Sequence, residues 1–213
     1  MRKIVFIFLL SGFFSILTLT AQVVETVQLP PAQKSGGMSL LEALNKRQSQ
    51  RSFSSKDLTQ QELSNVLWAA YGINRPEGLR TVPAAKEWYE YDIYIIKADG
   101  WYLYEPKKHL LLKMGNEDFR VYGGTQDFVK AAPVILVYIA DFDRMTNTTD
   151  ELRRFFSAVD VGYISQNVYL YCASSGLATI ILGQVDKVKV HEVLKLKPNQ
   201  NVILSQPVAY PGK

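Results

Sequence analysis

Cysteine and histidine are almost missing from this chain: it has one cysteine, Cys172, and two histidines, His109 and His191, in 213 residues. A single cysteine cannot close an internal disulfide, and Cys172 lies too deep in the chain to carry a lipid near the N-terminus. No group of His and Cys has the spacing of a zinc site. Neither histidine stands near Cys172 or a plausible nucleophilic serine in sequence, so nothing recommends a Ser-His-Asp or Cys-His arrangement. Glycine motifs of the P-loop and dinucleotide type are also absent. Charge of one sign is scarce: the formal net charge is +4, and setting aside Arg2 and Lys3 leaves +2. With no dense run of Lys and Arg, that balance excludes a strong nucleic-acid partner. Asp141-Phe142-Asp143 reads as a strand-end turn, Asn147-Thr148-Thr149 as a chance match to a glycosylation acceptor, and Cys172 as a packed thiol.

The N-terminus carries the clearest local signal. Arg2-Lys3 precede a nearly continuous apolar run from Ile4 to Leu19, and Thr20-Ala21-Gln22 offers a small residue for cleavage. This pattern predicts a secretory signal peptide over residues 1–21, short for a membrane span. The expectation is export to a bacterial periplasm, with no membrane attachment after the leader is removed. Residues 22–37, with Pro30-Pro31 and Gly36-Gly37, read as a linker, and residues 38–213 as one domain.

Within that domain, Ser39-Leu40-Leu41-Glu42 opens a short helix to about Lys46, and Thr59-Gln60-Gln61-Glu62 opens another that Gly72 stops. Tyr91 to Ile96 is strand-like. Asp99-Gly100 is a hairpin signal, with Trp101 to Tyr104 as the returning strand. Gly123-Gly124 precedes a short helix through Phe128, and Pro133 opens a buried strand from Val134 to Ala140. Asp150 to Ser175 is helical, with Gly176 as its stop. A short apolar run, Leu177 to Leu182, leads to Gly183. Asp186 to Leu196 reads as an amphipathic helix and Val202 to Leu204 as a last strand before Pro207. Two helices, a hairpin, then alternating helices and strands predict an α+β fold.

One stretch carries chemistry. Arg47-Gln48-Ser49-Gln50-Arg51-Ser52-Phe53 places two guanidinium groups and a hydroxyl at alternate positions, able to face one way from an extended segment. Arginine's fork suits phosphate oxygens and serine adds a donor. A solvated basic turn before a helix has the same look, so both readings stay open on spacing alone.

Four stretches in order resemble the nitroreductase family. Arg47-x-Ser49-x-Arg51 resembles its motif for the flavin phosphate and ribityl chain. Arg80-Thr81-Val82-Pro83-Ala84-Ala85, with Tyr91 to Ile96 after it, resembles its Pro-Ser-x loop and following strand. Ala131 to Val137 resembles its central strand. Asp160 to Leu170, then Gly176-Leu177, resembles the long helix behind the flavin, and Gly183 falls in the loop that meets the flavin N5 side. Within the family the chain is most similar to the short branch that includes the thiazoline-type dehydrogenases and small exported bacterial members.

The resemblance implies a central, mostly antiparallel sheet flanked by helices, and a homodimer with FMN at its interface. It implies an FMN-dependent oxidoreductase that moves hydride or electrons through bound flavin to a small-molecule acceptor, with NAD(P)H as the possible donor. It assigns cofactor contacts to Arg47, Gln48, Ser49, Arg51, Leu182 and Gly183, and gives Lys213 the family's C-terminal basic contact. The sequence departs from the family at the Pro-Ser-x loop. Ala84 stands for the serine, and Glu87 stands where an asparagine reads the flavin ring. These departures, with the absence of a longer basic tail, favour an alternative: an exported binding protein on the same scaffold, flavin-binding or flavin-free, that has lost catalysis.

Overall fold

The computed structural model describes residues 25–213; the expected leader and the first residues of the linker lie outside that range. Seven strands form one sheet: β1 (Thr26–Gln28), β2 (Tyr91–Lys97), β3 (Gly100–Glu105), β4 (Leu110–Gly115), β5 (Val134–Asp141), β6 (Ala178–Thr179) and β7 (Gln200–Ala209). Their spatial order is β1-β4-β3-β2-β5-β7-β6, and every pairing is antiparallel. Four α-helices accompany it: α1 (Leu40–Lys46), α2 (Gln60–Tyr71), α3 (Asp150–Ser175) and α4 (Lys187–Val193). The α+β class and the antiparallel sheet agree with the sequence expectation.

Both faces of the sheet are covered. Val134, Leu136, Tyr138 and Ala140 of β5 join one apolar core with α2 and α3, while Ile135, Val137 and Ile139 join a second with Val190 of α4 and Leu182. Alternate residues of a strand point to opposite faces, so a strand between two cores must be apolar at every position. That is why Val134 to Ala140 form an unbroken apolar and buried run, with Asp141 at the strand's end.

The helix ends carry their own signals. In α2 the Thr59 hydroxyl accepts from the Glu62 amide, and the Glu62 carboxylate accepts from the Thr59 amide. In α3 Thr149 accepts from the Leu152 amide, Asp150 and Glu151 sit at the positive end of the helix dipole, and Gly176 closes the last turn at φ 72. Gly100 turns the β2–β3 hairpin at φ 136, where a Cβ would collide with the Gly115 carbonyl.

Three differences from the sequence reading have physical causes. The expected linker contains β1, which pairs with β4, and Gln33 donates its amide to Asn65; the prolines follow the strand and so do not break it. The helix expected to reach Leu196 stops at Val193, because Leu194 to Leu196 turn back with Lys195 at φ 51. β7 runs through Pro207 to Ala209, well past the expected Leu204. The Pro207 carbonyl accepts the Thr179 hydroxyl. A residue's N–H and C=O point to the same flank of a strand, so the missing N–H also falls on the β6 flank and the pairing with β5 is kept. β4 was not anticipated at all.

Candidate functional site

α1 ends at Lys46, and the chain leaves it extended. Arg47 still donates its amide to Ala43, Gln50 donates to the Thr179 carbonyl, and Phe53 bridges Pro211 while its ring meets Phe128 edge-on at 5.8 Å. The segment is thus held between β6 and the C-terminal tail. Its side chains meet α3 at Tyr169. The Arg47 guanidinium lies over the Tyr169 ring, 5.4 Å from its centroid. Ser49 Oγ is 2.8 Å from Tyr169 Oη, and the Ile181 amide donates to the same phenol oxygen at 2.9 Å.

A cavity of about 430 Å³ opens beside this junction, lined among others by Arg47, Gln48, Gln50, Tyr169, Gly176 and Thr179. That volume falls in the range that holds small-molecule ligands. Among the described residues neither Arg47 nor Arg51 pairs with a carboxylate. A half-buried guanidinium without a counter-charge, over a polar cavity, fits a phosphate group.

The structure brings together some of the sequence-assigned residues and separates others. Arg47 and Gln48 line the cavity with Gln50, while Ser49 stays off its lining and is tied to it through Tyr169. Strict alternation does not hold, since Arg47, Gln48 and Gln50 all line it and Arg51 is exposed outside it. Lys213 is drawn alongside the motif, where its carbonyl accepts the Ser52 hydroxyl and Gly212 donates to the Ser52 carbonyl. Leu182 is buried, and its amide and carbonyl both bond to Ser205. Gly183 is therefore the residue of that pair whose N–H makes no bond among the described residues.

Glu87 is elsewhere. It sits in a 3-10 turn, Ala85–Glu87, that packs against the middle of α3. The Ala85 amide donates to Asp160 at 3.0 Å, and Trp88 meets Phe156 edge-on at 5.9 Å. Asp160 and Tyr169 are nine residues apart on one helix, or roughly 14 Å at 1.5 Å per residue. Within one chain, then, Glu87 and the Arg47 cavity occupy different stretches of α3.

The loop around Glu87 is strained. Lys86, Glu87 and Tyr89 have φ of 48, 53 and 46, values that disfavour side chains with a Cβ. Beneath it lies Glu90, fully buried, with no hydrogen-bond partner for either carboxylate oxygen. Burial, helped by the charge of Asp160, pushes its carboxyl up to about 7. Burial also raises Asp160, opposed by the Ala85 amide. Nearby, burial raises Asp92 against the pull of Arg144, which grips both its oxygens at 2.7 Å.

His109 has a structural post. Ser64 donates to the Pro30 carbonyl at 2.6 Å and lies 2.7 Å from His109 Nε2, while Tyr104 Oη is 2.8 Å from Nδ1. With the serine proton on Pro30, Nε2 must donate, so the imidazole cannot serve as a base toward Ser64.

Sequence reasoning did not single out Tyr169, the Ile181 amide or Glu90. Tyr169 sits among apolar residues of α3, where an aromatic reads as core, and only the hydroxyl on that apolar side hinted otherwise.

Comparison with known proteins adds four findings. The sequence pattern of the nitroreductase family matches residues 44–210. A protein of Methanocaldococcus jannaschii assigned to the nitroreductases is 33% identical over 181 residues, covering 80% of this chain and 90% of that one. Among solved structures, one from Ralstonia eutropha, likewise assigned to the nitroreductases, superposes with a TM-score of 0.84 at 36% identity, covering 88% of this chain and 90% of that one. The NADPH:FMN oxidoreductase of Vibrio harveyi, solved with NAD+, shares the fold at a TM-score of 0.61 and 19% identity, covering 82% of this chain and 69% of that one.

Proposed function

The chain belongs to the nitroreductase family, and we propose that it is an FMN-dependent oxidoreductase acting on a small-molecule acceptor. The observation that carries this reading is the Arg47 guanidinium, free of any carboxylate among the described residues, beside a cavity of ligand size. Bound FMN supplies the redox chemistry, taking electrons from a donor such as NAD(P)H and releasing them to the acceptor.

The chain's own residues do the rest. Arg47 holds the phosphate, with Gln48 and Ser49 as neighbouring polar contacts, and Arg51 and Lys213 add positive charge from the rim. The Gly183 N–H, with no other bond among the described residues, is the backbone donor for the N5 side; Leu182 holds that loop to Ser205.

We place FMN at the interface of a homodimer. Support comes from large apolar side chains left exposed: Leu40, Leu41 and Leu44 on α1, and Phe155 and Tyr163 on α3. Gly162, between them on α3, has open space where a Cβ would stand, which lets a second helix approach closely. A dimer would also let the Glu87 loop of one subunit serve the cavity of the other. The leader supports export to a periplasm, where the electron donor is a membrane or protein carrier if NAD(P)H is scarce.

The purified chain should keep a visible flavin spectrum after incubation with FMN and desalting. The bands should bleach with a reductant and recover with an acceptor, and Arg47→Ala should lose them. A folded protein that never retains FMN would sink this reading. Retention without turnover would favour a flavin-binding protein that has lost catalysis, the reading to which Ala84 and Glu87 point.

A further inference from the structure

We propose that Tyr169 is a positioning residue that sets Arg47 and Ser49 for the cofactor phosphate; the inference rests on the flavin reading above. Three contacts converge on this one side chain. Its ring carries the Arg47 guanidinium, its hydroxyl meets Ser49 Oγ at 2.8 Å, and the same oxygen accepts the Ile181 amide at 2.9 Å. It joins two segments that are far apart in sequence.

The order of donors gives the hydroxyl a direction. The Ile181 N–H can only donate, so Tyr169 Oη accepts there and its own proton is available for Ser49 Oγ. Ser49 then accepts from the phenol, and its hydroxyl proton is left for an acceptor on its exposed side, next to the cavity-lining Gln48 and Gln50. A chain of bonds in one sense polarises each member, so the last donor is stronger than an isolated serine. The ring does separate work. A guanidinium over an aromatic face is held flat and partly desolvated, which fixes its fork and leaves its N–H edges for an anion. An apolar side chain of similar size would fill the space without either effect.

This division of labour predicts that phosphate recognition, and not flavin recognition as a whole, depends on Tyr169. The test is to titrate the purified chain and its variants with FMN and with riboflavin, which lacks the phosphate, following quenching of flavin fluorescence. Wild type should prefer FMN strongly. Tyr169→Phe keeps the ring and should weaken FMN about tenfold, as expected for a lost hydrogen bond to a group that serves a charge, while riboflavin is unmoved. Ser49→Ala added to Tyr169→Phe should cost little more, because the two act as one chain. Tyr169→Leu removes the ring as well and should weaken FMN further.

Tyr169→Phe with an unchanged ratio of FMN to riboflavin affinity would overturn the proposal while leaving the flavin reading intact. Equal weakening of both ligands would reduce Tyr169 to ordinary packing, and overturns it too. Wild type that binds neither ligand removes both the flavin reading and this inference. Should Tyr169→Leu fail to fold, Tyr169→Phe alone decides, since it deletes one oxygen and keeps the packing.

Discussion

The two ends of α3's working surface are built on opposite terms. Around Tyr169 the polar groups are matched: a backbone amide, a phenol and a serine bond in series, and a guanidinium rests on the ring. Around Asp160 they are not. Three residues of the Lys86–Tyr89 turn hold positive φ, and Glu90 is sealed beneath them with both oxygens unpartnered. The first region is organised in advance for a ligand. The second stores unfavourable energy, which native folds tolerate mainly where the rest of the structure imposes it and often where function resides. The contrast teaches that the motif with the plain sequence signature is the quiet region, and the loop that departs from its family is the tense one.

The largest expected effect tests the tension at Glu90. Its carboxyl is raised to about 7 from an ordinary 4.5, so its contribution is fully present below pH 4.5 and is lost as pH rises through about 7. Glu90→Gln should therefore stabilise the fold above pH 7 by up to roughly 3 kcal/mol, at 1.36 kcal/mol per pKa unit, and make little difference near pH 4. Chemical denaturation at the two pH values reads this directly. If Glu90→Gln destabilises at both, the buried carboxylate has found a partner and the contrast fails.

Next comes the matched region. Arg47→Ala should weaken FMN binding by about 2 kcal/mol, the usual worth of a charged hydrogen bond to phosphate, and leave the melting temperature nearly unchanged. A large drop in melting temperature with it would show that Arg47 supports the fold and does not wait for a ligand.

His109 provides a control outside both regions, and its sign is opposite to that of Glu90. Burial lowers its pKa below 6.5, so stability is present above 6.5 and is lost as pH falls through the depressed value. His109→Gln should lose the acid sensitivity at a cost of about 1 kcal/mol at neutral pH, from weakened bonds to Ser64 and Tyr104. Acid unfolding curves of wild type and variant that superpose would remove His109 from the account.

The smallest effect concerns the turn itself. Lys86→Gly relieves a positive φ but frees the unfolded chain, so the net gain should be under about 1 kcal/mol. A loss would mean that the cation over the Trp88 ring, at 5.1 Å, outweighs the backbone strain.

Much of this molecule can be read before it is seen. The caps at Ser39, Thr59 and Thr149 and the stop at Gly176 are local chemistry, and they place α1, α2 and α3 to within a residue. The continuous apolar run of β5 is legible because both its faces are buried. β1 escaped because it is a short edge strand whose pairing is decided by a distant partner: Thr26 lies opposite Leu112 of β4, which itself sits between β1 and β3. The cavity was half legible. Arg47, Gln48 and Ser49 could be picked out as a string, whereas Tyr169 and Ile181 join them only through the packing of α3 against β6. Glu90 gave no sign, since a carboxylate between Tyr89 and Tyr91 reads as an exposed loop charge.

The position of β7 has a consequence for how the chain comes to be folded. The last strand in sequence lies inside the sheet, between β5 and β6. Until Gln200–Ala209 is in place, β5 has a neighbour on one side only and presents an open edge whose first seven residues, Val134 to Ala140, are apolar. Such an edge is a template for pairing with other chains. Contacts between Val134 and Val208, more than seventy residues apart, also delay closure, because a long loop must be ordered first. Synthesis thus leaves this protein in a sticky, incomplete form until Gln200–Ala209 emerges, and a chain cut before Gln200 would lose the middle of its sheet and not merely an edge.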